Sequence, residues 1–257
     1  MKKKFALVVL AAAAAAGVFA LRMSRRPAAA GSFDSRRFTG PTLVIDAGHG
    51  GQDGGAVSIS GVSESVLNLA VARRLDAILG FCGVPSVMLR TEDVMLSDPG
   101  GKTMRERKVS DLHNRVKLVN REENAVLISI HQNSFTDGKY SGAQVFYAPT
   151  TDSQGFAERT QELLRVTLSP DNDRKAKPIP GTVYLMNHIG CKAILVECGF
   201  LTNRSEDQLL QTPEYQLKLA AVLAGAYLRE TQAEPRVGTE PVKADAYTGK
   251  NRFPWQI

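Results

Sequence analysis

Short apolar runs and helical stripes alternate along most of this chain. Residues 42–46 form a β-branched apolar run entering a glycine-rich turn, which predicts a buried strand feeding a loop. Ser63 is placed to cap a helix in which Leu67, Val71, Leu75 and Ile78 recur at helical spacing. Gly80 and Gly83 are positioned to end it near Leu79. Residues 85–89 predict a second strand, and residues 91–108, irregular and rich in charge, predict a long surface loop. Ser110 then caps a predicted helix carrying Leu112, Val116 and Val119 on one face. Residues 125–130, 143–147 and 193–197 predict further strands, with Phe156, Thr160, Leu163 and Thr167 as the stripe of a helix among them. Thr212-Pro213-Glu214 sets a cap, a first-turn proline and an acid in the order a helix start prefers, and that helix is expected to run to about Arg229.

Such alternation, with near-continuous apolar strands, implies an α/β fold: a largely parallel sheet covered by helices on both faces. At 257 residues one sizeable core is expected, over residues 42–230. Before it stand a leader (1–30) and a polar linker (31–41); after it, residues 231–257 lose periodicity and read as a polar tail. The leader has Lys2, Lys3 and Lys4, then an uncharged run over residues 5–21, then small residues, the plan of an export signal or a single membrane anchor. It also changes the reading of the net charge of +6. Six basic side chains (Lys2, Lys3, Lys4, Arg22, Arg25, Arg26) and no acids lie within residues 1–30, so the remainder balances at 26 basic and 26 acidic residues. That argues against a nucleic-acid partner, which needs a basic stripe on the folded body, and confines any membrane contact to the leader. The cysteine count is three; Cys191 and Cys198 flank a predicted strand and stand about 20 Å apart if extended, too far for a disulfide, so all three read as buried or free thiols.

In an open parallel sheet, ligands bind beyond the carboxyl ends of the strands. Three reactive side chains are predicted on that rim: His49 in the Asp46-Ala47-Gly48-His49-Gly50-Gly51 turn, His131 at the end of the third strand, and Glu197 at the end of the last. Glu64 lies three residues before Leu67, on the stripe that faces the sheet. A carboxylate at the buried end of an apolar stripe is costly unless paired, and a metal would pair it. Two imidazoles and a carboxylate leave a fourth tetrahedral position open, the layout of a catalytic zinc site. Taken singly, each also has a structural reading, His49 as a loop residue, Glu64 as a first-turn acid placed for the helix dipole, His131 as a satisfied strand-end histidine and Glu197 as the partner of a nearby lysine or arginine; their convergence favours chemistry. His113 is expected on a solvated face and His188 in a loop near the crevice. The glycine-rich turn fails the G-x-G-x-x-G pattern at its third glycine, where Asp53 stands, which disfavours a nucleotide loop.

The segments Val44 through Gly51, Ser63-Glu64, Ser129 through Asn133 and Ile194 through Asn203 resemble, in order and spacing, the successive motifs of the zinc-dependent N-acetylmuramoyl-L-alanine amidases. The resemblance implies a single twisted sheet flanked by helices, zinc (Zn2+) bound by His49, Glu64 and His131, Glu197 as the catalytic carboxylate, and peptidoglycan as substrate. Residues 115–120, 142–147 and 183–185 look most like the amidases of endospore formers that prepare muramic-δ-lactam in the cortex for germination. Two departures stand out: Ala47 and Lys192 occupy positions where the family commonly has proline. Some relatives plug their groove with a long helix after the His131 strand; residues 132–141 are too few for one, so an open site is expected, controlled by timing or by a regulatory protein partner. Asn133 and Arg90 are candidates for orienting substrate, with turn capping and surface solvation as their alternatives. A zinc peptidase of the stem peptide and a non-catalytic wall-binding module are the competing classes.

Overall fold

A computed structural model describes residue 38 and residues 40–233; the leader and nearly all of the linker and tail lie outside the described residues. Six strands, β1 (Thr42–Ala47), β2 (Ser86–Met88), β3 (Ala125–Asn133), β4 (Gln144–Tyr147), β5 (Lys177–Pro178) and β6 (Lys192–Phe200), form one sheet in the order β2-β1-β3-β6-β4-β5. The four strands β2, β1, β3 and β6 run parallel, as expected; β4 pairs antiparallel with β6, making the sheet mixed.

The helices are α1 (Glu64–Phe81), α2 (Met104–Arg121), α3 (Ser153–Leu168), α4 (Tyr184–Asn187), α5 (Arg204–Leu210) and α6 (Pro213–Ala233). On one face of the sheet Leu43, Ile45, Ile128, Ile130, Ile194 and Val196 pack with α1, α3 and α6. On the other, Val44, Leu127 and Leu195 pack with Val119, Leu185 and Met186. Burial on both faces explains why the strands read as continuous apolar runs rather than alternating ones. Each fully buried aliphatic side chain contributes about 1.5–3 kcal/mol.

Three local readings change. The helix expected from Ser110 begins at Met104, because Thr103 and Glu106 form a capping box: Glu106 N–H donates to Thr103 Oγ1 at 3.2 Å, and Thr103 N–H to Glu106 Oε2 at 3.2 Å. Its buried residues are Asp111, Arg115 and Val119, while Leu112 and Val116 are only partly covered. Ser63 occupies the N-cap position of α1 but makes no side-chain cap hydrogen bond. By contrast Thr212 caps α6 as expected, accepting from Tyr215 N–H at 3.3 Å. Lys192, at a position where the resembled family commonly has proline, pairs with Glu230 of α6 at 2.8 Å. All three cysteines are free. No helix among the described residues is long and apolar enough to cross a membrane.

Candidate metal centre

The site forms at the carboxyl ends of β1, β3 and β6, where the chain turns sharply after β1. Gly48 is required there: a Cβ would sit 2.1 Å from the His131 ring. His49 follows in the left-handed region, at φ 61°, which is costly for a residue with a side chain. Two buried arginines brace this turn. Arg115, 2% exposed, donates to the His49 carbonyl at 2.7 Å and to that of Ala47 at 3.0 Å, and it pairs with Asp46 and with Asp111, the latter at 2.6 Å. Arg90, 3% exposed, donates to the carbonyls of Ala47 (2.8 Å), Gly48 (3.1 Å), Ser65 (2.8 Å) and Glu92 (2.9 Å). Arg90 is therefore neither a solvated surface residue nor free to orient a substrate.

Glu64, the first residue of α1, is 4% exposed and sits at the centre of the cluster. Its Oε1 lies 2.9 Å from His131 Nδ1 and accepts from Asn68 Nδ2 and Gln132 N–H, each at 3.2 Å. Its Oε2 accepts from Ala56 N–H at 3.0 Å and lies 3.3 Å from His49 Nε2. Gly55, at φ 69°, makes room for it: a Cβ there would lie 2.5 Å from Glu64 Oε2. The two imidazoles meet edge to face with centroids 5.1 Å apart. One donor atom from each of His49, Glu64 and His131 falls within 4.8 Å of the others, a compact N, N, O set that fits a divalent cation.

The three groups interact strongly by charge. Burial alone would raise the Glu64 carboxyl, but hydrogen bonds and charge from His131 and His49 hold it far below the usual carboxylate range. Burial opposes charge on His49, yet Asp53 and Glu64 raise it to about 9. Asp53 accepts on the far side of that ring, with Oδ2 3.1 Å from His49 Nδ1, the kind of carboxylate that orients a ligating histidine.

Glu197 lies beside His131 across the β3–β6 register, just before that pairing slips at His131 to Asn133. Its Oε2 is shielded from solvent and has no hydrogen-bond partner among the described residues. Burial pushes this carboxyl up to about 7; Glu64's charge adds to the rise, and His131 and His49 pull against it. An orphaned carboxylate oxygen next to an N, N, O cluster suits a proton-transfer group facing a ligand. His49, His131 and Glu197 line a cavity of about 330 Å3, together with Asp53, Lys108, Leu185 and Met186. A wider groove of about 830 Å3, between α3 and α6, brings no histidine or carboxylate together.

The structure thus brings His49, Glu64, His131 and Glu197 together. His113 is exposed, as expected. His188 stacks on Tyr184 with centroids 3.8 Å apart and does not line the cavity. Sequence reading missed Asp53, Arg115 and Lys108. Asp53 could have been found four residues after His49, but nothing in the periodicity of α2 shows that it turns charged residues toward the sheet. Residues 134–143 hold no helix, in keeping with an open groove.

A family model described as N-acetylmuramoyl-L-alanine amidase matches residues 43–227. The germination-specific N-acetylmuramoyl-L-alanine amidase of Bacillus subtilis (strain 168) is 40% identical over 192 residues, covering 74% of this chain and 80% of that protein. The CwlD amidase of Clostridioides difficile, solved in complex with the GerS lipoprotein, superposes with a TM-score of 0.71 at 33% identity, over 74% of this chain and 97% of that one. An N-acetylmuramoyl-L-alanine amidase from Clostridium difficile 630 gives 0.66 at 29% identity, over 77% of this chain and 100% of that one.

Proposed function

The chain belongs to the N-acetylmuramoyl-L-alanine amidase family, and from that premise we propose that it hydrolyses the amide between N-acetylmuramic acid and L-alanine in peptidoglycan, using zinc held by His49, Glu64 and His131. The observation that carries this is the unpartnered Glu197 oxygen beside the His49–Glu64–His131 cluster, with His49, His131 and Glu197 lining one cavity. When bound, zinc supplies Lewis acidity, polarising a carbonyl and lowering the pKa of water to about 7. Asp53 holds His49 in place through Nδ1. Asn68 and the Gln132 N–H hold Glu64. Glu197, with a carboxyl raised to about 7, is matched to take a proton from the attacking water and return it to the departing L-alanine amine. Leu185, Met186 and Leu195 form the apolar wall that limits water around the reacting amide.

The proposal extends to the spore cortex, with a role in muramic-lactam formation, supported by the likeness to a germination-specific relative. It also includes export of the domain at residues 42–230 by the leader at 1–30, and a protein partner outside the cytoplasmic membrane; the CwlD amidase, solved with a lipoprotein, supports the partner. Purified vegetative and spore peptidoglycan would be digested by the wild type with and without chelator, and by Glu197→Gln, with products read by mass spectrometry. Stems with free L-alanine amines are expected, their release stopped by chelation and lowered roughly 10^2- to 10^4-fold by the substitution while zinc stays bound. Cleavage within the stem would instead identify a peptidase, and wild-type turnover by Glu197→Gln would overturn the role given to Glu197.

A further inference from the structure

Four acids, Asp46, Asp53, Asp111 and Glu197, contribute to the lining of the catalytic cavity beside its apolar wall. Two cations line it as well. Arg115 is buried, and its guanidinium is engaged by Asp46, Asp111 and two backbone carbonyls. Lys108 is different. It lies seven residues earlier on α2, so the helical period turns it to the same side as Asp111 and Arg115, but nearer the mouth. Its side chain is 48% exposed, and its Nζ lies 2.7 Å from Asp53 Oδ1. An ammonium carries three donors, and this ion pair uses one.

Asp53 is thereby shared. One oxygen faces His49 Nδ1 and the other faces Lys108. The histidine contact is the more sheltered, whereas an ion pair with a half-exposed lysine exchanges readily. Asp46 and Asp111 are already engaged by Arg115, so the cation with donors left for an incoming carboxylate is the one at the mouth. Lys108 is that cation among the lining residues. A peptide stem presents free carboxylates close to its amino-terminal amide, so a carboxylate entering beside Glu197 would meet the Lys108 ammonium.

We propose that Lys108 is a specificity-determining residue whose ammonium leaves or shares Asp53 to pair with a carboxylate of the stem peptide. The inference rests on the amidase reading for its substrate class. A flexible stem above a half-exposed ammonium gains a charge-assisted hydrogen bond, which an amidated stem cannot make with equal strength.

Two soluble muropeptides differing only in whether the second stem residue carries a carboxylate or a carboxamide would be compared on the full chain and on Lys108→Met and Lys108→Arg. Turnover would be read as kcat and KM separately, binding by calorimetry on Glu197→Gln with and without Lys108→Met, and zinc affinity by competition with a chromophoric chelator. The wild type should favour the carboxylate form by roughly tenfold in kcat/KM, mainly through KM. Lys108→Met should abolish that preference, with zinc affinity retained, and Lys108→Arg should keep most of it. The inference is overturned if the wild type shows no preference, if Lys108→Met lowers kcat equally for both forms, or if it loses zinc, since Lys108 would then only brace Asp53. If no stem is released from either form, the amidase reading fails, and the calorimetric preference still decides the role of Lys108.

Discussion

Helices α1 and α2 are equal in length, 18 residues each, and both deliver groups to the same site, yet they dock by opposite means. α1 buries Leu67, Leu69, Val71, Ala72, Leu75 and Leu79, and apolar contact carries Glu64 to the rim. α2 buries two charged residues, Asp111 and Arg115, with Val119 as its apolar anchor. Apolar burial is non-directional and scales with area, so it supplies stability. The guanidinium of Arg115 is directional: it holds the Asp46 carboxylate and the His49 carbonyl in one plane of donors, so it supplies geometry. One helix mainly holds the fold; the other mainly holds a strained loop in the shape the site needs.

The sharpest way to break that contrast is Arg115→Met. It strands Asp46 and Asp111 in the interior, and a loss of about 3–5 kcal/mol is expected in urea unfolding, with weaker zinc binding because the His49 turn is released. The penalty should depend on pH. Burial would raise the Asp46 carboxyl, but Arg115, with His131 and the Ser129 hydroxyl, holds it below its ordinary 3.8. A depressed carboxyl stabilises the fold above its unfolded pKa and loses that contribution as pH falls through the folded value. The difference between wild type and variant should therefore be largest at neutral pH and shrink as pH falls, first as the unpaired Asp46 of the variant takes up a proton and then below 3.8 in the wild type; a difference constant with pH would show that Asp46 is not the linked group.

Leu75→Ala, fully buried on α1, should cost about 3 kcal/mol while leaving the zinc affinity of the folded protein unchanged. An equal loss of zinc affinity in this variant would erase the distinction between the helices. The smallest effect is expected from Thr103→Ala, which removes the capping box of α2 and should cost about 1 kcal/mol by thermal or urea unfolding. No measurable loss there would mean that the ion pairs alone place α2.

Much of this was legible in the residues. Apolar runs marked the strands because both faces of the sheet are covered, and the order of strand ends placed His49, His131 and Glu197 on one rim. The boundaries were less legible where side-chain pairing, rather than periodicity, decides them. The start of α2 is the clearest case, since charge-rich residues 104–109 read as loop until Thr103 and Glu106 are seen to cap one another. Arg90 and Arg115 share that origin: long polar side chains carry no periodic signal that separates a solvated arginine from one engaged by buried carbonyls.

What the chain determined by itself is the alternation of strands and helices, the glycines at 48 and 55, and the types of side chain offered at the strand ends. The local reason is that burial on two faces and backbone freedom are written residue by residue. Which of those side chains meet was decided only by the tertiary structure, because distances such as the 2.9 Å between Glu64 and His131 depend on how α1 and β3 pack across 67 residues of chain. Electrostatics followed the same division: the raised carboxyl of Glu197 and the depressed one of Glu64 belong to acids whose ordinary behaviour is nearly the same, separated by burial and by which neighbours the fold puts beside them.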